Sequence, residues 1–181
     1  VLLLALISAR PAVGAIDRPP NILLIFADDL GCPPVGAYGN AYYQTPNIDR
    51  LARDGLRFTD AYAACGVCSP TRSALMTGKY PARTHVTDFI AGGSFPLARL
   101  KQPDWQKFLP LEETTIAEEL AARGYATALF GKWHLARGYF PPQSVAEGPD
   151  RQGFTESFIT HKPAKTDDPE KIHGLLMKLN G

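Results

Sequence analysis

Three short clusters hold the residue types that do chemistry. The first is Asp28-Asp29, at the end of the apolar run Asn21–Ala27, NILLIFA. Neighbours in a regular strand point to opposite faces, but where the backbone turns at a strand end both carboxylates can converge. Converging carboxylates repel each other and favour a hard divalent cation such as Ca2+ or Mg2+. The plainer alternative is a turn in which an Asp caps a following helix. A second pair, Asp167-Asp168, lies in a Lys/Pro-rich stretch and reads as a solvated face.

The second cluster is Cys65-Gly66-Val67-Cys68, continued by Ser69-Pro70-Thr71-Arg72. The CxxC spacing suits a redox pair or half of a zinc site. No second CxxC or Cys/His pair in the sequence completes four zinc ligands. Redox cysteines, buried inert cysteines and a separate use of Cys68 stay open on spacing alone. Ser69–Thr77 reads as a helix closed by Gly78. That places Cys68 at or beside the N-cap, where amides and the helix dipole favour negative charge. Arg72 lies one turn on, on the face of Cys68, and Pro70 is tolerated in the first turn. A nucleophile position, a helix start and an aligned guanidinium suit a tetrahedral oxyanion such as sulfate or phosphate. Otherwise Arg72 is an ordinary surface residue of a helix. Lys79 reads as a helix-end cation with no catalytic role.

The third cluster is Gly131-Lys132-Trp133-His134. On an extended segment Lys132 and His134 project to one side and Trp133 points into the core. A cation and an imidazole at a strand end can bind an anion and move a proton. A lone His is also commonly a core residue with its hydrogen bonds met.

The elements that must position these clusters alternate. Asn21–Ala27 reads as a buried parallel strand. Thr45-Pro46 opens a short helix, with Thr45 as N-cap and Pro46 first, and Gly55 stops it. Ile48, Leu51 and Ala52 share one of its faces. Leu56–Tyr62 alternates like a strand. Thr115-Ile116-Ala117-Glu118 is a capping box, starting a helix with Ile116, Leu120 and Ala121 inward and an end at Gly124. Tyr125–Phe130 reads as a second buried strand. Residues 81–110 and the chain beyond Tyr139 read as loops, apart from a helix-like stretch near the end, IHGLLMKL. Strand and helix in alternation predict an α/β fold with a mostly parallel sheet flanked by helices. In such sheets sites gather at the carboxyl ends of strands, where Asp28-Asp29 and Lys132-Trp133-His134 both fall.

Composition narrows the function classes. The 181 residues carry 19 Lys+Arg against 18 Asp+Glu, a net charge of +1, which excludes a charged disordered tail and gives no electrostatic footprint for nucleic acid. Gly and Pro number 16 each, an excess that predicts many loops and turns. Residues 1–15, VLLLALI followed by small residues, read as a partial secretory signal peptide, too short to span a bilayer, the plainer alternative being a buried strand at the N-terminus. An exported chain follows, periplasmic, extracellular or lysosomal, with no membrane span. Cys32, Cys65 and Cys68 are too few, and odd in number, for a disulfide scaffold.

Taken together, these residues resemble the sulfatase family, of the formylglycine-dependent arylsulfatase type within the alkaline-phosphatase-like superfamily. The signature C-x-P-x-R stands as Cys68-Ser69-Pro70-Thr71-Arg72, extended by Leu75, Thr77, Gly78 and Lys79, with Thr71 where Ser is more common. Ala27-Asp28-Asp29-Leu30-Gly31 matches, as do the block from Thr45 to Ala52, with Gly55, Phe58 and Ala61-Tyr62, and Gly131-Lys132-Trp133-His134-Leu135. Ala136 replaces the usual Gly, and Gly153-Phe154 is a weaker echo.

The resemblance implies that Cys68 is oxidised to Cα-formylglycine during export by the formylglycine-generating enzyme. One hydroxyl of its hydrate attacks the sulfur of a sulfate ester, and deprotonation of the other expels sulfate. A plain Ser or Thr lacks that second hydroxyl. It also implies that Asp28, Asp29 and the modified Cys68 bind Ca2+, or Mg2+ in its place. Arg72 would hold the diol, Lys132 would bind the sulfate, and His134 would be the base. The substrate would be a sulfated small molecule or glycan. Family members are more than twice this length, so residues 16–181 read as the N-terminal part of a catalytic domain, incomplete at the C-terminus and expected inactive alone. The rival readings are a phosphodiester or phosphonate hydrolase of the same superfamily and a non-catalytic fragment with unmodified Cys68. A thiol-redox protein is more remote.

Overall fold

The computed structural model describes residues 19–31, 33–93, 96–137 and 145–160. The chain divides into two compact units, Val1–Leu30 and Gly31–Gly181. The signal segment 1–15, Cys32, Asp167-Asp168 and the helix-like stretch near the end lie outside the described residues.

In the first unit the expected strand Asn21–Ala27 does not form: the run has no ladder, and Leu23 and Ile25 are 85% and 76% exposed. A run that is apolar at every position needs cover on both faces, and the described part of this unit supplies none. The chain turns at Asp29, whose φ of 56° lies in the left-handed region that Asp tolerates better than most residues.

The second unit runs as a 3-10 turn (Gly36–Tyr38), then helices α1 (Pro46–Asp54), α2 (Cys68–Thr77), α3 (Pro81–Thr84) and α4 (Ile116–Ala121). Strand β1 (Ala128–Lys132), two further 3-10 turns (Val145–Glu147, Pro149–Arg151) and strand β2 (Glu156–Thr160) follow. β1 and β2 pair in parallel, Ala128 opposite Glu156 through Lys132 opposite Thr160. A parallel pair with helices is the α/β class expected. β2 was not expected, since ESFIT lies in a stretch that reads as loop. β1 starts three residues later than Tyr125–Phe130 and runs on through Gly131-Lys132, because those residues still have partners in β2.

Local chemistry sets most boundaries. Pro46 starts α1 and the Gly55 amide closes it on the Leu51 carbonyl. Thr45 sits at the N-cap, but its hydroxyl works elsewhere: it accepts from the Gly36 amide and donates to Asp49, which also accepts from the Ala37 amide. Ile48 and Leu51 are exposed, so α1 meets the 36–38 turn through polar bonds instead of the expected apolar face. Gly78 ends α2 at φ 67°, bonded to Ala74. The capping box at Thr115 and Glu118 forms both its bonds. The inward face of α4 differs from expectation, with Ile116 exposed and Ala117 buried. Gly153 explains this: a Cβ there would lie 2.4 Å from the Glu118 amide nitrogen, so the chain packs tightly on the first turn and a small residue faces in. Leu56–Tyr62 is not a strand. The Tyr38 hydroxyl donates to the Phe58 carbonyl and Arg57 to the Ala37 carbonyl, tying the segment to the 36–38 turn and leaving Leu56 and Tyr62 exposed.

The core of this unit joins Met76 of α2 to Leu109, Trp133, Leu135 and Ala136, with Leu129, Phe154 and Ile159 against it. Trp133 meets Phe154 edge-on at 6.1 Å and donates from Nε1 to the Glu147 carbonyl. The Leu109 amide bonds the Leu135 carbonyl. The residues after β1 are therefore held from both sides.

Candidate active site

Cys68 is the first residue of α2, and Val67, extended at ψ 148°, is the N-cap. Cys65 and Cys68 are not joined, and both are half-buried. The loop between them is fixed by Thr71, whose hydroxyl donates to the Cys65 carbonyl at 2.6 Å while its amide donates to Val67. Threonine at this signature position thus keeps the hydroxyl that serine would bring.

Arg72 crosses to β1. Its Nη1 donates to the main-chain carbonyl of Lys132 at 2.6 Å, across 60 residues of sequence. A charge-assisted bond of this kind is stronger than a neutral one, and it fixes the signature helix against the strand end that carries Lys132. Lys79 forms an ion pair with Glu113 at 2.5 Å, a structural use that agrees with the helix-end reading.

Trp133 is buried in the core, as the alternation requires, but the alternation stops there. His134 has φ 57°, so the chain turns at this residue. Lys132 is half-buried and His134 is 5% exposed. The imidazole Nε2 bonds the main-chain carbonyl of Ile90, and the Ile90 amide donates to Ser69 Oγ at 3.1 Å. Ser69 follows Cys68 directly, so a second line of bonds links the helix start to His134. Neither Ser69 nor Ile90 stood out in the sequence. The spacing of Ser69 and Ser73, one helical turn apart on a buried face, is the signal that could have found the first. Ile90 acts through its backbone and leaves no such signal.

In the second unit Arg72 is thus tied to the Lys132 main chain, and Ser69, next to Cys68, is linked through Ile90 to His134. Asp28 and Asp29 stand in the first. Their carboxylates are the hard donors that suit Ca2+ or Mg2+, but two residues fall short of the six to eight oxygens Ca2+ prefers. Among the described residues no group of three or more His, Cys, Asp or Glu is placed to hold a metal. No helix among them is long and apolar enough to cross a membrane.

Comparison with known proteins gives the same reading as the site. The chain is 48% identical to human arylsulfatase A over 150 residues, which is 83% of this chain and 27% of that protein. It is 42% identical to mouse steryl-sulfatase, over 82% of this chain and 23% of the relative. With pig N-acetylgalactosamine-6-sulfatase it shares 39% over 162 residues. The chain spans roughly a quarter of the length of these curated relatives. Among solved structures, Ps i-CgsB superposes with a TM-score of 0.64 at 35% identity, over 79% of this chain and 28% of that one. A Bacteroides thetaiotaomicron protein of multiple-glycosaminoglycan metabolism gives 0.62 at 36%, over 78% and 28%. The fold is that of the sulfatases, the alkaline-phosphatase-like α/β class. With the sulfatase family model matching residues 20–176, which takes in the signature helix and the Lys132–His134 turn, the chain belongs to the sulfatase family.

Proposed function

We propose that the full-length protein hydrolyses sulfate esters at a nucleophile made from Cys68. The observation that carries this reading is the bond from Arg72 to the main-chain carbonyl of Lys132, which ties the signature helix to the strand end that bears Lys132 and, two residues on, His134. A guanidinium on a helix start, with a lysine on the adjoining strand end, suits a tetrahedral oxyanion such as the sulfate group of an ester. The names of the relatives favour sulfate over phosphate or phosphonate, and a small aryl sulfate or a sulfated glycan as substrate.

Oxidation of Cys68 to Cα-formylglycine by the formylglycine-generating enzyme would supply a hydrated aldehyde, with one hydroxyl to attack sulfur and another to release a proton. The family resemblance assigns Ca2+, or Mg2+, to Asp28, Asp29 and the modified Cys68, and such an ion would supply positive charge to the transferred group. Arg72 holds the hydroxyls and their developing charge. Lys132 binds the sulfate oxygens. His134 takes the proton whose loss expels sulfate. Maturation of this kind goes with export of the chain.

The test is the rate of full-length, matured protein on an aryl sulfate and on an aryl phosphonate diester. Faster turnover of the sulfate is expected. A preference for the diester would move the protein to the phosphonate-hydrolase reading, and no turnover of either would remove the catalytic one.

A further inference from the structure

We propose that Ser69 is a positioning residue for His134, acting through the main chain of Ile90. The proposal rests on the sulfatase reading, in which His134 is the base. Ser69 and Ile90 are fully buried and His134 nearly so. Ile90 is pinned at both its polar backbone groups: its N–H donates to Ser69 Oγ at 3.1 Å, and its carbonyl accepts from the His134 ring. One turn along α2, Ser73 Oγ donates to Thr84 Oγ1 at 2.9 Å. Two hydroxyls on one buried helix face thus hold the segment from Thr84 to Ile90, and the Ser69 anchor places the carbonyl that His134 meets.

The bond also assigns the ring. A carbonyl oxygen only accepts, so His134 Nε2 carries the proton and, in the neutral ring, Nδ1 carries the lone pair. Nδ1 is therefore the atom that takes the proton during turnover. Without the Ser69 hydroxyl the buried Ile90 amide loses its acceptor. The Ile90 carbonyl is then no longer fixed, and neither tautomer nor ring orientation is enforced. Ser69 lies outside the Cys, Pro and Arg positions of the C-x-P-x-R signature, so its replacement leaves those three residues in place.

The experiment uses the full-length protein with 15N-labelled histidine, the His134 signals being identified by their loss in His134→Gln. Wild type is expected to show the Nε2–H tautomer. Ser69→Ala should show averaging of the two tautomers, with kcat lower by roughly 10- to 100-fold, the scale on which loss of a group orienting a functional histidine acts, and KM unchanged. Ser69→Thr, which keeps the oxygen, should recover both tautomer and kcat relative to Ser69→Ala. An Nδ1–H tautomer in wild type would overturn the proposal without any variant. So would a Ser69→Ala protein with the wild-type tautomer and kcat. If Ser69→Ala does not fold, a folded Ser69→Thr protein with averaged tautomers would do the same. A wild type inert on sulfate esters that still shows the Nε2–H ring, lost in Ser69→Ala, would sink the sulfatase reading and leave the positioning intact.

Discussion

Asn21–Asp29 and Ala128–His134 are alike in sequence, each an apolar run ending in charged or titratable residues, and unlike in the molecule. The second is laddered to β2, has Trp133 and Leu135 in the core, and has the Lys132 carbonyl bonded from Arg72 of α2 and the His134 ring bonded to the Ile90 carbonyl. The first is exposed along its length and forms no ladder among the described residues. The difference teaches that apolar patterning states what must be covered, not what covers it. β1 itself is only partly covered, less than the buried strand expected, with Leu129 against the core and Phe130 75% exposed, and full burial falls on Trp133 and Leu135 just after it.

The largest effect should come from the end of the anchored run. In the full-length enzyme, His134→Ala is expected to lower kcat on an aryl sulfate by roughly 10²- to 10⁴-fold. Conversion of Cys68, read by mass, should be unchanged. A variant within a factor of two of wild type (about 0.4 kcal/mol) would remove His134 from the chemistry. At the other run, Asp28→Asn should raise the Ca2+ concentration for half-maximal activity by roughly tenfold or more, since affinity follows the charge of the donor set. An unchanged Ca2+ titration would free Asp28 from that role.

Smaller effects belong to the frame that holds β1. Gly153→Ala puts a methyl group into the Glu118 backbone at a φ of 87°, and should cost about 1–3 kcal/mol in urea unfolding. Thr115→Ala removes the cap and the bond to the Gln152 carbonyl, with a loss of about 1–2 kcal/mol expected. The exposed Glu119–Arg123 pair is the control: Glu119→Ala should change stability by less than about 0.5 kcal/mol. If Glu119→Ala cost as much as Gly153→Ala, the packing account of α4 would be wrong.

What was legible in the sequence follows from how local each cause is. Gly78, Gly55, Pro46 and the Thr115–Glu118 box act within a few residues, and they mark the ends of α1 and α2 and the start of α4 correctly. Cys68 and Arg72 fall on α2 as expected because one helix sets their spacing. The strands were less legible, because pairing depends on distant partners: β1 extends to Lys132 only because Thr160 lies opposite. The inward face of α4 depends on Gly153, and the setting of His134 on Ile90, contacts that no local pattern announces.

The most direct test of the central claim is the mass of the tryptic peptide Phe58–Arg72 from full-length protein exported by a host with formylglycine-generating machinery, beside a known sulfatase from that host. The account predicts an aldehyde or its hydrate at position 68, with Cys65 alone open to alkylation. Alkylation of both cysteines, while the control sulfatase is converted, would contradict it.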